Sequence, residues 1–334
     1  MLGILGGRRK NGAASSFPPY RLLERDYLAE AQEKYSRLER LYHVGQKNAW
    51  DGRAVLKDLL DRHGGVRIAR DKKEAIARIF SVILWGELAA WNISADIAES
   101  LEDVEAKMAA SGQVFDEARH FYTMRDYLLE LGIEIPPLDG YTRHVLVDLL
   151  ETTSIVEKLI GMQLLVENIA LNLFRAVAKG GIEPILSGLM PYFERDEARH
   201  VGLGVLYLPS LLRRLGGLEA TWLKAFQLKV STFVVWGTIL LRDSFEALNI
   251  DLNDTFRHGM RNQLEIFGSM GRFEEDVRGL YIPRGFLQKV DELAIELYFP
   301  RPDQPVPGWM RACHRMLGWV ARGGEAILNY TAAA

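Results

Sequence analysis

The pentapeptide Asp-Glu-Ala-Arg-His occurs twice in this chain, at residues 116–120 and 196–200. On a helix, a Glu and a His three residues apart lie about 60° apart around the axis and roughly 4.5 Å along it, so both side chains can reach one point. A single Glu-x-x-His is a weak signal, because such pairs arise by chance on solvated helices. Two identical copies constrain the chain far more, because their surroundings repeat as well. Glu87 stands thirty residues before Glu117, in the apolar run from Ile83 to Trp91, and Glu167 stands thirty before Glu197, in the run from Leu164 to Leu171. Glu87, Glu117 and His120 map onto Glu167, Glu197 and His200 by adding 80. The chain therefore holds a helix hairpin followed by its repeat.

A carboxylate inside an apolar helical face is costly to bury unless it is paired or bound to metal. Glu87 or Glu167 taken alone could equally pair with a buried Arg or Lys, but one offset obeyed by six residues favours a common metal centre. Four carboxylates and two imidazoles converging between four helices are the ligand set of a carboxylate-bridged di-iron or di-manganese site. Hard oxygen donors with one imidazole per metal suit Fe(II) and Mn(II) better than zinc. Glu99, Glu105 and Glu157 break the offset and read as solvated. His43, His63, His144, His258 and His314 fit no ligand pattern.

With 334 residues, of which 48% are hydrophobic, the chain can bury one large core or two small ones. Sparse Pro and apolar stretches at helical spacing give an all-α reading. Residues 1–20, rich in Gly, Ser, Ala and Pro, read as a disordered leader, and residues 21–334 as one helical domain. Leu22, Tyr27, Leu28, Ala31, Tyr35, Leu38, Leu41 and Tyr42 mark an amphipathic helix over about 21–46. A shorter one, about 53–62, stops at Gly64-Gly65. The first hairpin is expected as helices 71–99 and 100–131, with Ser100 and Asp103 in a capping-box-like start. The second is expected as 142–179 and 183–215, turning at Gly180-Gly181 and Pro184. Beyond Gly216-Gly217 come an apolar helix at 218–247, carrying Trp222, Phe226, Phe233 and Trp236, and helices near 252–270, 285–298 and 310–328 with a Pro-rich loop at 300–307. These extra helices, 21–63 and 218–330, are expected to wrap a bundle spanning about 72–214.

Net charge is −3, from 41 basic and 44 acidic residues, and no basic stripe with interleaved aromatics appears, so nucleic acid is not an expected partner. The apolar runs near 79–93 and 231–241 fall short of the roughly 18–20 residues that span a bilayer, so they read as buried helices and not as membrane spans. Cys313 is the one cysteine, which suits a reducing cytoplasm.

The doubled Glu…Glu-x-x-His pattern resembles the ferritin-like di-iron carboxylate superfamily. Its fuller Asp-Glu-x-Arg-His form is similar to the oxygen-activating branch, with bacterial multicomponent monooxygenases, acyl-carrier-protein desaturases and the ribonucleotide reductase small subunit. The resemblance covers about residues 72–214. It implies a ferritin-like four-helix bundle with a duplicated metal-binding hairpin, two iron ions (or Mn/Fe), Glu117 and Glu197 as bridges and Glu87 and Glu167 as terminal ligands. It also implies that Asp116 orients His200 and Asp196 orients His120, while Arg119 and Arg199 keep these aspartates ionised. A surface ion pair between each Asp and the Arg three residues on is the competing reading. Trp91 reads as core packing before it reads as an electron relay or cavity wall. Gly86, Ala90, Ala170 and Gly204 would leave space for O₂ or substrate, or simply let helices pack closely.

Three elaborations of the superfamily are missing. Met124 stands where the reductase has its radical tyrosine, Leu171 where many monooxygenases have a threonine, and Phe193 where the arylamine N-oxygenases have an extra histidine. The implied activity is an O₂-dependent oxidase or oxygenase acting on a largely apolar small molecule, by hydroxylation, desaturation or cleavage. Iron storage and a Mn/Fe oxidase like the reductase small subunit are the alternatives. Electrons are expected from an external ferredoxin or reductase, since the chain has no Gly-rich nucleotide fingerprint and no cysteine cluster. A homodimer is compatible with this reading.

Overall fold

The computed structural model describes residues 29–270, 284–301 and 307–333. The expected leader, the start of the first amphipathic helix and most of the Pro-rich loop lie outside the described residues. Those described are almost entirely helical and include no strand.

Helix α1 (Ala29–Lys47) is followed by α2 (Gly52–His63), which Asp51 caps at its start and Gly64, in the left-handed region at φ 68°, ends. The first hairpin is α3 (Arg70–Ser100) and α4 (Val104–Glu130). The expected capping box at its turn is absent. Asp103 stands before α4 without capping it, and its carboxylate accepts instead from Tyr35 Oη at 2.9 Å. In the second hairpin, α8 (Pro184–Leu212) starts with Glu183 capping Leu186 N at 2.7 Å, and Tyr127 Oη donates to the same Glu183 oxygen at 3.1 Å.

The expected third helix is broken. Residues 140–151 form α5 (Gly140–Glu151), Thr152 turns extended, and Ser154 starts α6 (Ile155–Lys158) by accepting from Glu157 N. A π-helical stretch, π1 (Leu159–Val166), then leads into α7 (Glu167–Gly180). The expected helix at 218–247 divides at Leu241 into α9 (Gly217–Leu240) and α10 (Arg242–Ala247). After them come α11 (Leu252–Met270), α12 (Arg284–Tyr298) and α13 (Gly308–Ala333).

Helices α3, α4, π1–α7 and α8 form the four-helix bundle. Helices α1 and α2 lie against α4 and α8, α10 against α3, and α11 against α7, while α5, α9 and α13 pack on one another. Helices α3 and α6–α7 are each long and apolar enough to cross a membrane by length and composition, beyond what the runs at 79–93 and 231–241 indicated. Here both sit inside the bundle with carboxylates turned inward. The apolar core falls into two clusters. Leu84, Met124, Ala170 and Phe193 belong to one, and Ala89, Ala110, Leu164 and Val201 to the other. Between them lies a band of ionisable side chains.

Candidate metal centre

That band holds all six residues singled out by the 80-residue offset. Helix α3 supplies Glu87, α4 supplies Glu117 and His120, α7 supplies Glu167, and α8 supplies Glu197 and His200; every one is buried. One ligand atom each from Glu87, Glu117, His120 and Glu197 lie within 4.8 Å of one another, and so do those of Glu117, Glu167, Glu197 and His200. Glu117 and Glu197 belong to both groups. The geometry is therefore that of two adjacent cation positions with two carboxylates between them. His120 Nδ1 lies 3.3 Å from Glu87 Oε2 and 3.1 Å from Glu197 Oε1, and His200 Nδ1 lies 3.0 Å from both Glu117 Oε1 and Glu197 Oε2.

Four carboxylates at this spacing, taken out of water, need positive charge among them. Burial pushes Glu87 and Glu167 well above the usual carboxylate range. Burial acts on Glu117 and Glu197 too, but the charge of His200 together with hydrogen bonds outweighs it and holds both well down. Burial would discharge His120 and His200, and the surrounding carboxylates, led by Glu87 and Glu117 respectively, instead hold both well above the ordinary imidazole range. Glu117 Oε2, Glu197 Oε1 and His120 Nδ1 are buried and, close as the last two lie to each other, none has a partner aligned for a hydrogen bond. Unsatisfied buried polar atoms are rare in folded proteins, and hard oxygen and imidazole donors converging on one spot are suited to divalent cations. The cluster is able to hold two metal ions.

No protein-family model matches the sequence, and no curated protein is significantly similar to it. Solved structures are similar in fold. An R2-like ligand-binding oxidase with an aerobically reconstituted Mn/Fe cofactor superposes with a TM-score of 0.56 at 16% identity, over 71% of this chain and 92% of that one. A single-residue variant of that oxidase gives 0.52 at 15% identity over the same shares. Phenol hydroxylase from Pseudomonas sp. OX1, in a xenon-pressurized crystal, gives 0.56 at 17% identity over 85% of this chain and 57% of that one. The chain has a ferritin-like fold. At these identities the likeness is one of fold, and the chemistry has to be read from this chain's own residues.

Outside the ligand cluster, the ferritin-like bundle cross-links its two hairpins. His120 Nε2 lies 3.2 Å from Asp196 Oδ2, and His200 Nε2 lies 3.3 Å from Asp116 Oδ2. An imidazole that donates Nε2–H to a carboxylate presents the Nδ1 lone pair inward. Arg119 bonds Asp116 and also Asp196, the latter at 2.7 Å, and Arg199 bonds Asp116 at 2.7 Å and Asp196 at 2.8 Å. These four side chains are buried, so each Arg joins two helices where a surface pair would have joined one turn. Burial pushes the two aspartates up, yet the histidines and Arg199 outweigh it and hold both below the usual range.

Three contributors went unrecognised in the sequence. Trp50, in the α1–α2 loop, donates Nε1–H to Asp196 Oδ2 at 2.7 Å and lies under the Arg119 guanidinium, 5.0 Å from its ring centre. Gln113 donates to Glu117 Oε1 at 2.9 Å and Glu167 Oε1 at 3.0 Å, and its own oxygen accepts from Gln163 Nε2 at 3.0 Å. Gln163 did carry a signal, as the one polar side chain in the apolar run from Leu159 to Val166. Adding 80 to Gln113 gives Phe193, which stacks on His120 at 4.4 Å between ring centres. The two halves of the centre therefore differ, with an amide pair beside Glu167 and an aromatic face beside His120.

Other expectations need correction. Trp91 turns outward, 38% exposed, against Phe121, so it is not part of the buried core. Glu105 is buried, not solvated. Ala90 and Ala170 are buried three residues after Glu87 and Glu167, but Gly204 leaves no open space, since a Cβ there would come within 2.8 Å of Gln163 Cβ. A cavity of about 750 Å³ opens between the start of α3 and the end of α4, lined by Arg70, Lys73, Arg78 and Leu131 and by none of the six cluster residues. The space against His200 and Gln113 measures only about 10 Å³, roughly one water.

Proposed function

We propose that this chain is an O₂-dependent oxidoreductase built on a non-haem di-iron or Mn/Fe centre, acting as an oxidase or oxygenase on a largely apolar small molecule. One observation carries the reading: two buried ligand groups that share Glu117 and Glu197 and differ in one Glu and one His each. Glu87 and His120 would complete one metal position, Glu167 and His200 the other, with Glu117 and Glu197 bridging. Two reduced metal ions held there would supply two electrons to O₂.

The remaining work falls to the chain. Asp196 and Asp116 fix the imidazole tautomers, and Arg119 and Arg199 keep those aspartates ionised. Gln113 holds Glu117 and Glu167 in place by donating to both. The two apolar clusters above and below the band keep bulk water out, and this apolar setting supports an apolar substrate. The pocket against His200 and Gln113 is about one water wide, so a larger substrate approaching there would need side-chain or helix movement. With no nucleotide fingerprint and a single cysteine, the chain would draw electrons from a separate ferredoxin or reductase in the cytoplasm.

The test supplies Fe(II) and O₂ to the metal-free chain without organic substrate. The expected result is about two irons bound per chain, one round of oxidation with near-ultraviolet absorption, and a stall until reductant and organic substrate are added. Continuous turnover of many irons, leaving a ferric mineral inside a large cage, would establish storage and overturn the proposal.

A further inference from the structure

Helix α13 has two apolar faces, and the bundle uses one of them. Ala321 is fully buried, Tyr141 Oη donates to its carbonyl at 2.9 Å, and Arg143 donates to the carbonyl of Leu328 at 3.1 Å. On the opposite side Trp309, Met316, Trp319, Val320, Ile327 and Tyr330 are all exposed, Trp319 at 72% and Tyr330 at 78%. At 100° per residue these six fall within about 100° of arc, in a stripe roughly 30 Å long. Single exposed hydrophobics are ordinary, but a continuous stripe marks a surface that something covers.

The charges beside it indicate what. Arg311, Arg315 and Arg322 are exposed and fall within about 40° of one another on one flank of the stripe. The one acidic residue of α13, Glu325, is turned inward, accepting from Gly140 N at 2.9 and 2.8 Å. Helix α9, packed beside α13, also leaves large apolar side chains uncovered, and its one acid is held at its own first turn. It exposes Leu218, Trp222 and Leu228, while its only acid, Glu219, accepts from Gly216 N at 2.8 Å. The outer face of α13 is thus apolar and aromatic, edged by fixed positive charge.

We propose that this face docks the protein on an anionic lipid bilayer, with α13 lying in the plane of the interface. Trp and Tyr have an apolar body and a polar edge suited to the headgroup level, while arginine stems reach along apolar surface and present guanidinium to phosphate. A second copy of the chain fits less well. A two-fold contact through the stripe would, with the helices antiparallel, bring the same arginine row from both copies together, and with them parallel would leave each row beside a flank that carries no acid to answer it. The inference stands on this surface alone and does not depend on the metal reading.

Sedimentation of the full chain with vesicles tests it, comparing phosphatidylcholine alone with an equal mixture of phosphatidylcholine and phosphatidylglycerol. The chain should sediment with the mixed vesicles, stay largely in solution with the neutral ones, and be released as salt is raised. Trp319→Glu with Ile327→Glu should lower partitioning by about tenfold or more, with helical circular dichroism and melting unchanged, because both positions are exposed. Replacing Arg311, Arg315 and Arg322 by Gln should abolish the preference for anionic vesicles, and Leu129→Glu, an exposed site on α4, should change nothing. Failure of the wild type to bind mixed vesicles would overturn the proposal, as would wild-type binding by the Glu double variant. So would a dimer in solution that the double variant dissociates, which would assign the face to a second copy.

Discussion

Asp196 is the most heavily bonded side chain around the centre, taking Trp50, Arg119 and His120 on one oxygen and Arg199 on the other. Asn in its place would keep the shape but turn an amide N–H₂ towards groups that donate. Asp196→Asn is expected to weaken metal binding by about 10–100-fold, with a smaller loss for Asp116→Asn, which has no tryptophan partner. Metal titration of both variants checks this, and wild-type affinity in both would leave the aspartates as structural links only. Glu117→Ala or Glu197→Ala should lower occupancy at both proposed metal positions, since each carboxylate belongs to both groups. Elemental analysis showing two tightly held ions in either variant would refute the assignment. At this scale the six cluster residues could be read from spacing, because helical periodicity is local. Trp50 and Gln113 could not, because neither obeys the offset and their partners lie at 146 residues' separation for Trp50–Asp196 and 54 for Gln113–Glu167.

Among the elements, π1 breaks the symmetry of the repeat. Residues 79–86, its counterparts under the 80-residue offset, are plain α-helix within α3, whereas Glu167 N bonds back five residues to Met162 O. The six cluster residues keep the offset while the turn leading to Glu167 is wider, and Gln163 sits in it, fully buried. Gly204 on α8 lets this turn approach closely. Gly204→Ala should push the two apart, cost about 1–3 kcal/mol of stability and lower occupancy of the Glu167/His200 position more than its partner's. Site-resolved metal spectroscopy alongside a melting curve reads both effects, and equal occupancy would show that the wider turn does not position Glu167. The break before α6 had a sequence signal in Thr152-Thr153-Ser154, with Ser154 and Glu157 spaced as a cap and its third residue. The long apolar pattern of 142–179 masked it.

Across the whole molecule, the centre is a band of buried charge between two apolar clusters, so metal binding and folding are linked. Any ion that binds the folded chain and not the unfolded one stabilises it by RT ln(1 + [L]/Kd), about 4 kcal/mol at a thousandfold excess over Kd. For a chain of this size that corresponds to a rise on the order of 10 °C in melting temperature. Thermal melts of chelator-treated and Fe(II)- or Mn(II)-loaded protein measure it, and coincident curves would show that the cluster binds no metal in the folded state.

The sequence by itself determined that the chain is all-α, that it contains a hairpin and its repeat, and which six side chains share one level. All three follow from helical period and a fixed offset, which survive whatever the helices later pack against. Tertiary structure alone decided the rest. Which carboxylates stand between both histidines, which arginines bridge both hairpins, why Trp91 faces out and Glu105 in, and which side of α13 is left uncovered all depend on helix rotation and neighbour choice. Those are set by packing between segments far apart in the chain, and no local pattern encodes them.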